Sequence, residues 1–410
     1  MPRTIHVVGA GLAGLAAAVR LTGRGERVIV HEALQQAGGR CRSYYDAATR
    51  LTIDNGNHLL LSGNHAALSY LHTLGSEAGL VGPASADFPF VDLANSERWT
   101  VRISDGRLPW WIFDARRRIP GTTFSDYLAF APLLWASGHK SVGAVMSCRG
   151  PVYERLGHPL LLAALNVDPP EGSAALAGAI VRETLLAGGR ACRPLIAAGL
   201  TEVFVDPALR LLKERGAEVH FGHQLRAFGF GEGLVASLDF GAERVVLDPA
   251  DAVILAVPPW IAPSLVPGVA APSEYRAIVN AHFRVDPPAD FPRMIGVLNA
   301  TTEWIFTFPQ RLSVTISGAD RLLDQPREAL AATIWREVAQ VAGLSGDLPA
   351  WQIVRERRAT FAATPAENAK RPGPTTAWRN LTLAGDWTDT GLPATIEGAI
   401  RSGNRAAELA

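Results

Sequence analysis

Lysine is nearly absent from this chain. Only Lys140, Lys213 and Lys370 occur in 410 residues, so arginine carries almost all of the positive charge. No sign of charge dominates either, because Lys+Arg and Asp+Glu stand at 39 each. A neutral chain lacks the general attraction for phosphate backbones, and no nucleic-acid partner is expected. The three cysteines, Cys41, Cys148 and Cys192, are odd in number and scattered. They suit neither a disulfide framework nor a zinc site and point to a reducing compartment, with no metal expected. No uncharged apolar run reaches the roughly 18 residues of a spanning helix. The apolar start at Ile5 runs into a glycine-rich turn rather than a leader, so a cytoplasmic protein is expected, soluble or lying on a membrane without crossing it. What is present is a core: 48% hydrophobic against 19% charged residues excludes disorder, and the length predicts two domains.

The N-terminus carries the first chemical signal. Ile5-His6-Val7-Val8 reads as a buried parallel strand, followed by Gly9-Ala10-Gly11-Leu12-Ala13-Gly14 and an alanine-rich helix. Gly9 permits a tight turn, Gly11 lets a pyrophosphate approach the backbone, and Gly14 lets helix and strand pack closely. The helix N-terminus offers its N–H groups to phosphate. Val28-Ile29-Val30 forms a second strand ending at Glu32, 18 residues after Gly14, where a carboxylate accepts both hydroxyls of an adenosine ribose. That carboxylate disfavours a 2′-phosphate, leaving FAD or NAD.

Further blocks choose between the two. Glu32-Ala33 is followed by Gly38-Gly39-Arg40, then by Asp54-Asn55-Gly56-Asn57-His58; near the C-terminus stand Gly385-Asp386-Trp387 and Thr395-Ile396-Glu397-Gly398. Together these resemble the flavin amine oxidase and phytoene desaturase superfamily. The resemblance implies an α/β fold: a Rossmann-type FAD-binding domain of the glutathione-reductase-like architecture, joined to a mixed α+β substrate domain with an antiparallel sheet and a helical lid. It implies FAD held by Gly9, Ala10, Gly11, Leu12, Ala13, Gly14, Glu32, Ala33, Gly38, Gly39, Arg40, Gly56, Asn57, His58, Leu225, Gly385, Asp386, Thr395 and Ile396. In it, Leu225 caps the adenine through its backbone, and the last helix aims its positive N-terminal end at the flavin ring.

Longer stretches narrow the resemblance. Cys41 to Asp46, Asp54 to Asn64, Leu165 to Pro170, Ala281 to Val285 and Gly385 to Thr395 are similar to the hydroxysqualene dehydroxylase family of bacterial hopanoid biosynthesis, across residues 5 to 409. Val167-Asp168 departs from the threonine-proline expected there. That family implies a lipophilic triterpene alcohol as substrate: its hydroxyl is protonated and lost as water, and hydride from the reduced flavin quenches the allylic cation. The candidate proton donors are Asp54, His58 and Asp389. For each the alternative is structural: a carboxylate bonding backbone N–H groups, a packed histidine, a loop anchor. No reductant for the flavin is named by the sequence.

The expected division places residues 1–85, 195–277 and 350–410 in the FAD-binding domain and 86–194 and 278–349 in the substrate domain. Residues 86 to 188 read as a helical lid broken by prolines, 278 to 318 as an antiparallel sheet, Arg327 to Ala342 as a helix, and Lys370 to Pro374 as an exposed loop. Trp110-Trp111-Ile112-Phe113 followed by Arg116-Arg117-Arg118 suits a peripheral membrane contact or a packed lid core with a solvated basic turn. Two other activities stay open: a polyisoprenoid desaturase and a non-catalytic isoprenoid carrier. Amine oxidation is disfavoured, because amine oxidases of this superfamily place a lysine in the substrate-domain sheet and residues 278–318 contain none.

Overall fold

The computed structural model describes residues 3–106, 108–344 and 346–410. Its first layer is a five-stranded sheet in the order Glu218–His220, Arg27–His31, Thr4–Val8, Ala252–Leu255 and Leu381–Leu383, with every pair parallel. These short strands are rich in Val, Ile and Leu because both faces are covered. Ile5, Val7, Val30 and Ile254 pack under helix Leu12–Thr22 and the last helix, Ile396–Leu409. Val8, Val253 and Leu255 face a small sheet of Ala227–Gly231, Leu234–Asp239 and Arg244–Val246, which contributes Phe228 and Leu238.

Glycine sets how closely these layers approach. A Cβ on Gly14 would lie 1.9 Å from the Gly9 carbonyl oxygen, and one on Gly403 would lie 2.1 Å from that of Ala13. The first and last helices therefore touch backbone to backbone, the start of the one against the middle of the other.

The second layer is a seven-stranded sheet in the order Trp351–Phe361, Tyr275–Arg284, Arg311–Ile316, Trp304–Phe308, Met294–Leu298, Asp87–Asp92 and Glu97–Arg102. All its pairs are antiparallel except the parallel pair that joins Met294–Leu298 to Asp87–Asp92. Alternation sends Val279, Ala281, Phe283, Ile305 and Val314 against Leu330, Ile334 and Val338 of helix Arg327–Ala342. The opposite face carries Asn280 and Thr315 at one side and Phe90, Trp99, Trp304 and Phe306 at the other, joined to lid residues Tyr127, Phe130 and Tyr153 in one apolar cluster.

Two expectations change here. The start of the supposed helical lid is a β-hairpin, because Phe88, Phe90, Trp99 and Val101 repeat at period two and Ser96 turns the chain at φ 62°. The expected boundary at 350 cuts through a sheet, since Trp351–Phe361 is hydrogen-bonded along Tyr275–Arg284. The lid proper is made of short pieces: 3₁₀ turns at Trp110–Phe113 and Phe124–Trp135, and π-helical turns leading into His158–Leu165. Pro132 sits inside the second turn and denies it an α-helical ladder.

The glycines separate packing from binding. Gly403→Ala is expected to destabilise the apoprotein by about 1–3 kcal/mol, because the helices must part. Gly11→Ala, whose Cβ meets nothing within 4 Å, should leave the apoprotein melting temperature unchanged yet weaken FAD binding. Thermal melts with and without FAD distinguish the two.

Candidate active site

The phosphate end is built from backbone. Gly9 has φ +107°, a conformation that L side chains rarely adopt, and its N–H donates to the His31 carbonyl at 2.7 Å. Gly11 starts the first helix with no side-chain cap and no acidic residue in the first turn. The leading N–H groups are left for an anion. Glu32 is buried, with one carboxylate oxygen accepting from Ala10 N–H at 2.7 Å and the other from Leu34 N–H at 2.9 Å. Ala33 follows it directly. Gly38 donates to the Ala10 carbonyl at 2.8 Å, which lays the Gly38-Gly39 segment beside Gly11. Leu225 is buried just beyond strand Glu218–His220, beside the small sheet.

The middle of the cleft is an ion pair spanning almost the whole chain. Arg40 Nη2 donates to both Asp386 oxygens, at 2.7 and 2.6 Å, and Arg40 Nη1 donates to the Ala359 carbonyl. The loop carrying Asp386 is clamped by Arg371, a buried residue that was expected in an exposed loop. Arg371 donates to the Asp386, Trp387 and Thr388 carbonyls and to Thr390 Oγ1 at 3.0 Å. Burial pulls its guanidinium down to about 10, opposed by Asp389 and Asp386. Asp389 itself lies at an exposed position and is tied through its N–H to the Pro372 carbonyl at 2.8 Å. No sequence pattern marks Arg371; it is one arginine in a Pro-Gly turn.

The far end joins the two sheets. Asn280, buried on the second sheet, accepts from Asn57 N–H at 3.3 Å and from Thr315 Oγ1 at 2.8 Å, and donates to the Asn55 carbonyl at 3.4 Å. Asn57 Nδ2 adds a bond to Thr315 Oγ1 at 3.1 Å, while its buried Oδ1 has no partner among the described residues. Asp54 is engaged on both oxygens: Ser43 Oγ at 2.6 Å and Leu200 N–H at 2.9 Å meet Oδ1, and Arg311 stands 3.9 Å from Oδ2. His58 lies half-buried and donates from Nδ1 to the Gly56 carbonyl at 2.8 Å, and its Nε2 has no hydrogen-bond partner among the described residues. Burial lowers its pKa, with the Gly56 bond opposing.

Thr395 caps the last helix by accepting from Gly398 N–H at 3.0 Å. Glu397, which had no assigned role, turns away and accepts from Ala66 and Ala67 N–H at the start of helix His65–Leu74. The Ile396 end of the last helix is thereby kept clear of a carboxylate. The uncapped first helix, the buried Glu32 at the end of the second strand and the orphaned Asn57 acceptor fit a dinucleotide that carries a hydrogen-bonding ring. No lysine lies on any strand of the seven-stranded sheet.

Fold and site thus define a flavoprotein oxidoreductase. Residues 12–410 match the flavin containing amine oxidoreductase family, and the chain belongs to that family, with FAD as its cofactor. Over 411 residues it is 64% identical to hydroxysqualene dehydroxylase of Rhodopseudomonas palustris, covering 100% of this chain and 98% of that protein. It is 59% identical to hydroxysqualene dehydroxylase of Sinorhizobium fredii, covering 100% and 99%. An oxidoreductase from Methanosarcina mazei has the same fold, with a TM-score of 0.73 at 16% identity over 99% of this chain and 100% of that one.

Arg371→Met would strip donors from three buried carbonyls. A loss of at least about 3 kcal/mol is expected, together with poorer FAD retention. Denaturant unfolding and the flavin-to-protein absorbance ratio measure the two effects.

Proposed function

We propose that this chain reduces hydroxysqualene to squalene, carried by its full-length identity to two hydroxysqualene dehydroxylases. The C–O bond breaks, the hydroxyl leaves as water after gaining a proton, and a C–H bond forms. Reduced FAD, when bound, supplies the hydride, and an external two-electron donor restores it. His58 is the proton donor in this reading, because its Nε2 is free whereas the Asp54 oxygens are already engaged and Asp389 sits at an exposed position. Asp54 then holds the loop Asn55 to His58, and Asp389 belongs to the clamped loop before the last helix. In this reading FAD is held by Gly9 to Gly14, Glu32, Ala33, Gly38 to Arg40, Gly56 to His58, Leu225, Gly385, Asp386, Thr395 and Ile396. The substrate part takes Trp351–Phe361 in addition to 86–194 and 278–349.

Substrate delivery follows from the lid surface. Trp111 and Ile112 are buried, but Trp110, Phe113, Phe124, Leu128 and Trp135 are exposed, Trp135 by 80%. Phe113 stacks on Phe124 at 5.2 Å and meets Trp110 at 6.0 Å, so the rings form one ridge. Arg116 and Arg117 follow it closely in the chain, both paired to Asp114. An aromatic ridge with adjacent guanidinium groups suits the headgroup boundary of an anionic bilayer, where the triterpene dissolves.

Anaerobic incubation of the FAD-loaded, reduced protein with hydroxysqualene in detergent should yield squalene, detected by mass, with flavin reoxidation. No squalene, but conjugated products from oxidised enzyme and squalene or phytoene, would move the assignment to a desaturase. His58→Ala should lower kcat by about 10²–10⁴ with FAD still bound. Because the His58 pKa is depressed, kcat/KM in the wild type should rise as pH falls below the ordinary imidazole value of about 6.5. For the ridge, Trp110→Ser with Phe113→Ser should abolish co-sedimentation with phosphatidylglycerol-containing vesicles while detergent turnover persists. Wild-type protein that stays in the supernatant would rule the membrane contact out.

A further inference from the structure

Four histidines gather at the edge of the parallel sheet, on the side away from the first helix. His220 is the direct register partner of His31 on the neighbouring strand, so the two side chains share one face. His6 reaches the same face from the next strand, and His223 returns over it after the turn at Phe221-Gly222. His31 Nδ1 and His223 Nδ1 are 2.9 Å apart. The ligand atoms of His31, His220 and His223 all lie within 4.8 Å of one another.

The outer nitrogens share a pattern. His31 Nε2 meets His6 Nδ1 at 3.0 Å, His220 Nε2 meets Glu218 Oε2 at 3.2 Å, and His223 Nε2 lies 3.4 Å from Glu243 Oε2. Each of the three rings therefore has its Nε2 held by an outside partner and its Nδ1 uncommitted to that partner. Histidines that ligate a metal show this division of labour, one nitrogen inward and the other fixed by a carboxylate or a second ring. Phe240 stacks on His223 with ring centroids 3.7 Å apart and also packs on His31 at 4.7 Å, which limits their rotation.

We propose that the Nδ1 atoms of His31, His220 and His223 bind a divalent transition ion of the zinc type. Tetrahedral bonds of about 2.0–2.1 Å need ligand nitrogens a little over 3 Å apart, so the His31–His223 pair parts slightly and His220 swings inward. His31 and His223 lie well covered, while His220 is half-exposed, so water completes the shell from the solvent side. The site uses none of the groups assigned to the reaction. Its place in the chain gives it a consequence. Glu32 follows His31 directly, and Leu225 lies two residues past His223, so the ion would tie together the two segments expected at the adenosine end of FAD.

The test uses the chelator-treated, FAD-loaded protein and a titration with Zn²⁺ and, separately, Co²⁺. One zinc per chain should bind, and Co²⁺ should give the visible bands of a tetrahedral nitrogen site. His220→Ala and His223→Ala should each weaken zinc binding by more than the roughly 10–100-fold that loss of an outer-sphere partner costs, and Glu218→Gln by an amount within that range. All three should keep the wild-type flavin spectrum, because none belongs to the reaction. Zinc should also raise the melting temperature of the wild type and slow its loss of FAD on dilution, and neither variant lacking a histidine should show this. Sub-stoichiometric binding, or binding that both histidine variants retain, would overturn the proposal.

Discussion

The first helix begins at Gly11 with nothing capping it, and the last helix spends its Thr395 hydroxyl on Gly398 alone. An α-helix cannot satisfy its own leading N–H groups; here the first helix has no side-chain cap and the last has one, and the start of the first touches the middle of the last at Ala13 and Gly403. N–H groups left open in this way favour something anionic or electron-rich beside them. The glycines and the outward turn of Glu397 both serve that one constraint. They keep side chains, and the Glu397 carboxylate above all, away from the leading N–H groups.

The second sheet is attached to this nucleotide platform by a polar seam rather than by packing alone. Asn280 and Thr315 interrupt the apolar alternation of their strands and take up the backbone and side chain of Asn55 to Asn57. Buried amides satisfied on both sides are directional, so they fix the position of His58 more sharply than apolar contact would. Arg311 does similar work one step away, donating to the Thr52 carbonyl at 2.6 Å and lying over the Phe308 ring at 4.2 Å while it faces Asp54.

Much of this was legible in the sequence because it rests on local pattern. The strand Thr4–Val8, helix Arg327–Ala342 and strand Leu381–Leu383 follow from apolar periodicity and punctuation. The hairpin at Asp87–Arg102 carried the same period-two signal but was submerged in a proline-broken, alanine-rich region. Arg371 was invisible for a different reason. Its role depends on three carbonyls that lie 15 to 17 residues further along, and no local rule connects an arginine to acceptors at that distance. The pairing of Arg40 with Asp386 across 346 residues was likewise beyond spacing, although both residues sit in motifs that announce themselves. The histidine group shows the same limit: its members come from three strands and a turn, and only sheet register brings them together.

The scarcity of lysine takes on a chemical meaning under the proposed reaction. An allylic cation must last until a hydride reaches it, and a neutral amine nearby would trap it as a covalent adduct. Lysine deprotonates readily when buried, whereas a guanidinium stays charged and is a poor nucleophile. Arg40, Arg311 and Arg371 are cations at this cleft, and each is held against carboxylates or carbonyls. Lys370, one residue from the clamp, is committed to Glu367. Phe90, Trp99, Trp304 and Phe306 form a buried aromatic cluster under the lid, and aromatic rings of this kind tolerate positive charge without offering a lone pair that bonds to carbon. An amine oxidase has the opposite need, since its substrate is itself the amine. The same fold therefore accommodates both chemistries by changing which basic side chains face the second sheet.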